Sequence, residues 1–145
     1  MHIELIKTVV LKAPTGHVWR FLTERDKLAT WFHEGKADLV PDQPWVLVTN
    51  SQGKEGEPLL WGDIECWEPP SENGVGRLTH TFTHDWLKGP PLRCDWRLTP
   101  AGAGCVLTLT HTGFDGQGGA GFAEAADTDR GWDDHFVRLR TVVSW

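Results

Sequence analysis

Apart from residues 14–35, apolar and polar positions alternate along much of this chain as far as His111, and from Ala120 onward the period becomes helical. His2–Lys12 reads as a strand in which Ile3, Leu5 and Val9 alternate with polar partners, around the β-branched run Thr8-Val9-Val10-Leu11. Six more strand candidates follow: Ala37–Val40, Trp45–Asn50, Leu59–Glu68, Arg77–Asp85, Leu92–Thr99 and Cys105–His111. Turn-rich separators divide them at Pro41-Asp42, Ser51–Pro58, Pro69–Gly76, Lys88–Pro91 and Pro100–Gly104. Such short links imply antiparallel neighbours.

The pattern also assigns faces. Leu78, His80, Phe82 and His84 share one side, opposite Thr79, Thr81 and Thr83. Leu92, Cys94, Trp96 and Leu98 oppose Arg93, Asp95 and Arg97, and Cys105, Leu107, Leu109 and His111 oppose Val106, Thr108 and Thr110. One face is apolar with a few histidines and the other polar, as in an antiparallel sheet covered on one side. Leu59–Glu68 is ambiguous, with Leu60, Ile64 and Cys66 on one side and Trp61 and Trp67 on the other.

Two short helices are predicted after the first strand. Pro14 suits the first helical position, and Val18, Phe21 and Leu22 form an apolar face. Thr23 with Asp26 resembles a capping box, followed by Leu28, Trp31 and Phe32 at i, i+3, i+4, with Gly35 as the stop. Such a pair suits closure of the mouth of a curved sheet. Gly113–Gly121 lacks the lysine of a phosphate-binding loop and reads as a lid or linker. Ala120–Val143 is predicted as one helix of about 36 Å. Its apolar stripe is Phe122, Ala125, Trp132, Phe136, Leu139 and Val143, and its wet face holds Asp129, Asp133, Asp134, Arg138 and Arg140. Gly131 inside it is expected to permit close approach to the sheet or a bend.

A length of 145 residues fits one domain, 1–145. A charged fraction of 23% and a hydrophobic fraction of 39% mark a globular chain. With net charge −6 and Lys and Arg scattered singly, neither nucleic acid nor an anionic membrane is an expected partner. No apolar run approaches a membrane span, and Met1–Lys7 lacks the marks of a signal peptide. A cytoplasmic location is expected.

Cys66, Cys94 and Cys105 are an odd set within predicted strands, expected as reduced core residues. Counting back from a turn at Pro100–Ala103 sets Leu98 opposite Cys105 and Cys94 opposite Leu109, so no bridge is expected. Nine Trp and six Phe with no Tyr either fill a half-open sheet or line a ligand cavity.

Several short motifs resemble the START-like (helix-grip, SRPBCC) superfamily, in its branch related to the C-terminal domain of the Hsp90 ATPase activator. They are Ala13-Pro14 with Val18-Trp19, Leu22-Thr23, Leu28 and Trp31; Gly62, Ile64 and Glu65 with the Pro69-Pro70 corner and Arg77-Leu78; His111-Thr112-Gly113-Phe114; and Gly131-Trp132 with Phe136 and Leu139. Their order and spacing cover nearly the whole chain. The resemblance implies an α+β helix-grip fold, a curved antiparallel sheet of six to seven strands wrapped around a long C-terminal helix. It also implies a hydrophobic small molecule held between sheet and helix. Some branches are cyclases, dehydratases or lipid carriers. The eukaryotic activator stimulates a chaperone through a further N-terminal domain that has no counterpart here.

The expected ligand-binding residues are His80, Phe82, His84, Trp96, His111, Trp132 and Phe136. His80 and His84 stand ~13 Å apart on a strand, too far to share one metal ion, so neither metal nor cofactor is expected. No nucleophile elbow exists around Ser51, Ser71 or Ser144. General acid–base work by a cavity histidine with Asp63, Glu65 or Asp85 is the enzymatic alternative. A chaperone-directed interaction module is another, and a homodimer is compatible with each.

Overall fold

A computed structural model describes residues 2–48, 58–71, 74–85 and 87–143. Among these residues, six strands form one antiparallel, open, curved sheet in the order β1-β6-β5-β4-β3-β2. They are β1 (Leu5–Leu11), β2 (Pro44–Val48), β3 (Pro58–Glu68), β4 (Gly76–Phe82), β5 (Leu92–Ala101) and β6 (Gly104–Thr112). Helices α1 (Thr15–Thr23) and α2 (Arg25–Trp31) leave β1, and α3 (Gly121–Val143) lies over the concave face. The core sits between that face and the helices, with Trp31, Leu78, Trp96, Leu107, Leu109 and Leu139 buried. This is the expected helix-grip fold.

Local chemistry departs from expectation at several points. Ala37–Val40 is not a strand. Its backbone turns away to join other elements, and Leu39 N–H donates to Thr23 C=O at 2.7 Å. Thr49 and Asn50 of the predicted strand Trp45–Asn50, and residues 51–57 of the predicted separator, lie outside the described residues. Pro14 takes the N-cap position of α1, with ψ 159°, rather than the first helical turn. The expected capping box on α2 does not form. Thr23 Oγ1 bonds back to Trp19 C=O at 3.0 Å, and Asp38 Oδ1 accepts the Arg25 N–H at 2.8 Å. The N-terminus of α2 is therefore capped from the following loop.

The hairpin between β5 and β6 turns on two residues, Gly102 and Ala103, so Ala101 pairs with Gly104. Gly102 has φ 60°, which suits the first central position of a type II′ turn. The register is two residues from the counted one: Cys94 faces His111, and Leu98 faces Leu107. An even shift preserves every face. The three thiols are free, but Cys66 is only half-buried.

A register shift between Ile64 and Cys66 resolves the ambiguity of β3. One extra residue switches which side faces inward. Ile64 pairs opposite His80 before the bulge, and Trp67 opposite Leu78 after it. Both reach the core, where Trp67 stands edge-on to Trp19 at 5.1 Å.

The glycine-rich segment is neither lid nor linker. Phe114–Ala120 forms 3₁₀ turns with Phe114 and Gln117 buried. Gln117 Oε1 accepts from Gly89 N–H at 2.6 Å, and its Nε2 donates to Pro90 C=O at 2.8 Å. In α3, Gly121 takes the core-facing position beside Phe114, so Phe122 points outward and is 68% exposed. Asp129 and Asp133 are not simply solvated: both hold Lys7 of β1, Asp133 at 2.9 Å.

Candidate functional site

Beneath α3 the concave face is packed solid with rings. Trp132 stacks on Phe136 at 5.5 Å and meets Trp96 edge-on at 5.3 Å, and Trp31 stacks on Phe136 at 6.1 Å. The space left among Leu28, Trp31, Trp45, His80, Phe82, Trp96 and Trp132 is ≈ 20 Å³. That is room for about one water.

Two of the expected histidines are structural members of this interior. Trp96 Nε1–H donates to His80 Nε2 at 3.0 Å. An indole nitrogen only donates, so the His80 proton sits on Nδ1 and is given to Thr81 C=O at 2.9 Å. Trp132 Nε1–H donates to His111 Nδ1 at 3.0 Å, leaving the His111 proton on Nε2, which has no partner among the described residues. Burial pushes His80 down to about 4. Burial, with His80 and His84 adding to it, pushes His111 down to about 3. Both are neutral at physiological pH.

The usable space lies beside this core. A cleft of ≈ 400 Å³ opens between the N-terminal half of α3 and the concave side of the sheet. That volume falls in the range of small-molecule sites. Phe32, Phe82 and Trp132 form its apolar floor, with Leu59 and Leu60 at one side. Glu124, Asp127, Thr128 and Gly131 of α3 and His33, His84 and His135 complete it. A Cβ placed on Gly131 would meet nothing within 4 Å. Gly131 therefore neither admits a close helix–sheet approach nor relieves a clash, and its missing side chain leaves the cleft open.

The polar rim is ordered. His84 Nε2 lies 2.7 Å from Glu124 Oε1, tying the end of β4 to the start of α3. His33 and His135 meet edge-on at 5.3 Å, and Phe32 stands against both. Arg138 binds His135 Nδ1 and donates through Nε to the Trp31 C=O at 3.2 Å, satisfying the end of α2. Burial, then His33 and Arg138, pushes His135 down to about 4; burial, then Arg138, lowers His33. At neutral pH His33 and His135 are thus uncharged. None of the cleft's described lining residues is Lys or Arg.

Of the seven expected residues, Phe82, His84 and Trp132 line the cleft. His80 and Trp96 border only the small interior space, and neither space includes His111 or Phe136 among its lining. The sheet-borne acids proposed as partners for a cavity histidine stand elsewhere. Glu65 holds Arg93 at 2.7 Å, and Asp63 and Asp85 line a separate hollow of ≈ 580 Å³ beside Trp45 of β2 and Trp61 of β3. That hollow is larger and carries these two indoles, but no histidine is among its described lining residues. The carboxylate beside a histidine is Glu124. It was missed because it reaches His84 only when α3 crosses the sheet. His33 and His135 were missed for the same reason, being 102 residues apart in sequence.

No three His, Cys, Asp or Glu side chains gather to hold a metal ion among the described residues. The thiols are poor nucleophiles. Burial pushes Cys105 up to about 11 and Cys94 well above its ordinary value, and burial with a hydrogen bond to Glu68 raises Cys66. No described helix is long and apolar enough to cross a membrane.

Comparison with known proteins agrees with this architecture. CalU16 from Micromonospora echinospora is 24% identical, with a TM-score of 0.73 over 99% of this chain and 77% of its own. MLL2253 from Mesorhizobium loti is 17% identical, with a TM-score of 0.76 over 97% of this chain and 96% of its own. The Aha1 dimer from Colwellia psychrerythraea is 13% identical, with a TM-score of 0.73 over 98% of this chain and 96% of its own. These likenesses concern the fold. No curated protein matches the chain. The family described as Activator of Hsp90 ATPase homolog 1-like protein matches residues 12–144. With its START-like sheet gripping one long helix, the chain belongs to that family.

Proposed function

We propose that this protein binds a small, largely apolar or aromatic molecule in the cleft between α3 and the sheet. The observation that carries this reading is the cleft itself: ≈ 400 Å³ floored by Phe32, Phe82 and Trp132 and rimmed by a few placed polar groups. His80, Trp96, His111 and Phe136 are the rigid wall behind it. Glu124, Asp127 and the neutral imidazole of His33 offer hydrogen-bond acceptors, while His135, whose Nδ1 accepts from Arg138, offers its Nε2–H as a donor. A ligand with an amine or hydroxyl donor on an aromatic body fits this rim better than an anion does. A cationic amine over Trp132 also gains from the ring face. Free thiols throughout suit a reducing compartment such as the cytoplasm.

Native mass spectrometry of freshly purified protein, followed by tryptophan-quench titration with aromatic amines and matched aromatic acids, tests the reading. Saturable quenching by amines, lost in Trp132→Ala, is the expected result. No retained mass and no saturable quench from either series would refute it. The family's description favours a second reading, an interaction module acting on a chaperone. That reading predicts chaperone capture that survives substitution of the cleft residues.

A further inference from the structure

The two edges of the sheet are treated differently. The β2 edge is covered: Lys36 N–H donates to Val46 C=O and Val48 N–H to Glu34 C=O, both at 2.9 Å. The β1 edge has no such cover. No backbone hydrogen bond beyond the β6 ladder involves residues 2–12 among the described residues. Edge strands are usually blunted by a central charge, a proline or a bulge. Lys7 is the one charge within β1, and it is tied to Asp129 and Asp133 of α3. The strand has no proline, and its pairing with β6 runs without a register shift.

The phase of the ladder identifies which groups are open. The two-residue turn makes Ala101 and Gly104 exchange ladder bonds, so alternate residues of β6 beginning with Gly104 bond β5. Cys105, Leu107, Leu109 and His111 then bond Leu11, Val9, Lys7 and Leu5 of β1. The free N–H and C=O groups therefore belong to Ile6, Thr8 and Val10. These residues also present their side chains to solvent, Ile6 at 62% and Val10 at 66% exposure.

We infer that this edge pairs with the same edge of a second copy, antiparallel, about a two-fold axis at Thr8. The outward face of β1 reads Ile6, Thr8, Val10, with Glu4 just before the strand and Lys12, in a bend, just after it, and all five are exposed. Pairing about Thr8 sets Glu4 opposite Lys12, Ile6 opposite Val10 and Thr8 opposite itself. A slip of one pairing step either way sets a charge opposite an apolar side chain. This match of both charges and both apolar residues is what an isologous interface requires, and it favours a second copy over a foreign strand. Ladder bonds supply the adhesion, and the cross-strand pairs supply the register.

Sedimentation equilibrium of the full chain tests the inference. The wild type is expected to dimerise reversibly. Thr8→Pro removes an N–H that points away from β6, so the fold is kept by circular dichroism while the dimer is lost. Glu4→Lys or Lys12→Glu alone weakens dimerisation roughly tenfold, since each charge pair occurs twice. The double reversal restores it. A wild type that stays monomeric at millimolar concentration would overturn the proposal. So would a dimer that survives Thr8→Pro, or single reversals that leave dimerisation unchanged.

Discussion

The indole N–H of Trp132 on α3 donates to His111 Nδ1 on β6 at 3.0 Å, and both side chains are buried. This bond joins the helix to the sheet at the back of the cleft and fixes the His111 tautomer. It also fixes the plane of the Trp132 ring, which is the cleft floor.

Removing the acceptor strands a buried donor. His111→Leu is expected to lower stability by about 2–4 kcal/mol, from the orphaned indole N–H and a changed packing volume. Trp132→Phe in that background removes the orphan. The double variant is therefore expected to lose at least ~1 kcal/mol less than the sum of the two singles. Urea unfolding of the four proteins measures the coupling, and strict additivity would refute it.

Stability is expected to fall in mild acid. His80 and His111 are held neutral, at about 4 and about 3, by burial. In the unfolded chain both titrate near 6.5. Above that pH neither state binds the proton, and these groups add no pH dependence. Below it the unfolded chain takes up protons that the folded chain refuses, so the native state is progressively disfavoured. Between pH 7 and pH 5 the two groups together cost about 4 kcal/mol. His80→Gln, which keeps an acceptor for Trp96, is expected to remove about half of that slope.

Gly62 on β3 is tolerated only as glycine. A Cβ there would lie 2.1 Å from the Thr81 carbonyl oxygen on β4. That oxygen accepts the Trp45 indole N–H at 3.0 Å, and Trp45 pairs with Gly62 on β2. The indole thus reaches across the bare glycine to the next strand. Gly62→Ala is expected to cost about 2–4 kcal/mol by forcing β3 from β4, and thermal unfolding checks this.

Gly131 makes the opposite case. A helix-internal glycine costs about 1 kcal/mol relative to alanine, and here the position is sterically open. Gly131→Ala is expected to raise stability by about that amount. Gly131→Phe is expected to leave the fold intact and abolish ligand quenching by filling the cleft. Binding that survives Gly131→Phe would move the site elsewhere.

The alternation of Leu92–Leu98 and Cys105–His111 made the inner face readable residue by residue, because a period of two survives any even error in register. What escaped were features set by single residues across space. The β3 bulge inserts one residue with no local signature, so the facing of Ile64 and Trp67 stayed ambiguous. Asp38 caps α2 from beyond its far end, where no capping pattern looks. Phe122 fitted the helical period but lost its inward place to Gly121, which the contact with Phe114 demands. His80 and His111 were correctly placed inside. Their role as acceptors for Trp96 and Trp132 depends on pairings 16 and 21 residues apart, which periodicity does not report.

Because rings occupy the space under α3 down to ≈ 20 Å³, the volume that remains faces outward. A molecule seated there exchanges with solvent without the helix first lifting from the sheet. Its residence time is then governed by the contacts broken on leaving, and arrival is expected to show a single, concentration-proportional phase with no slow step of the protein's own.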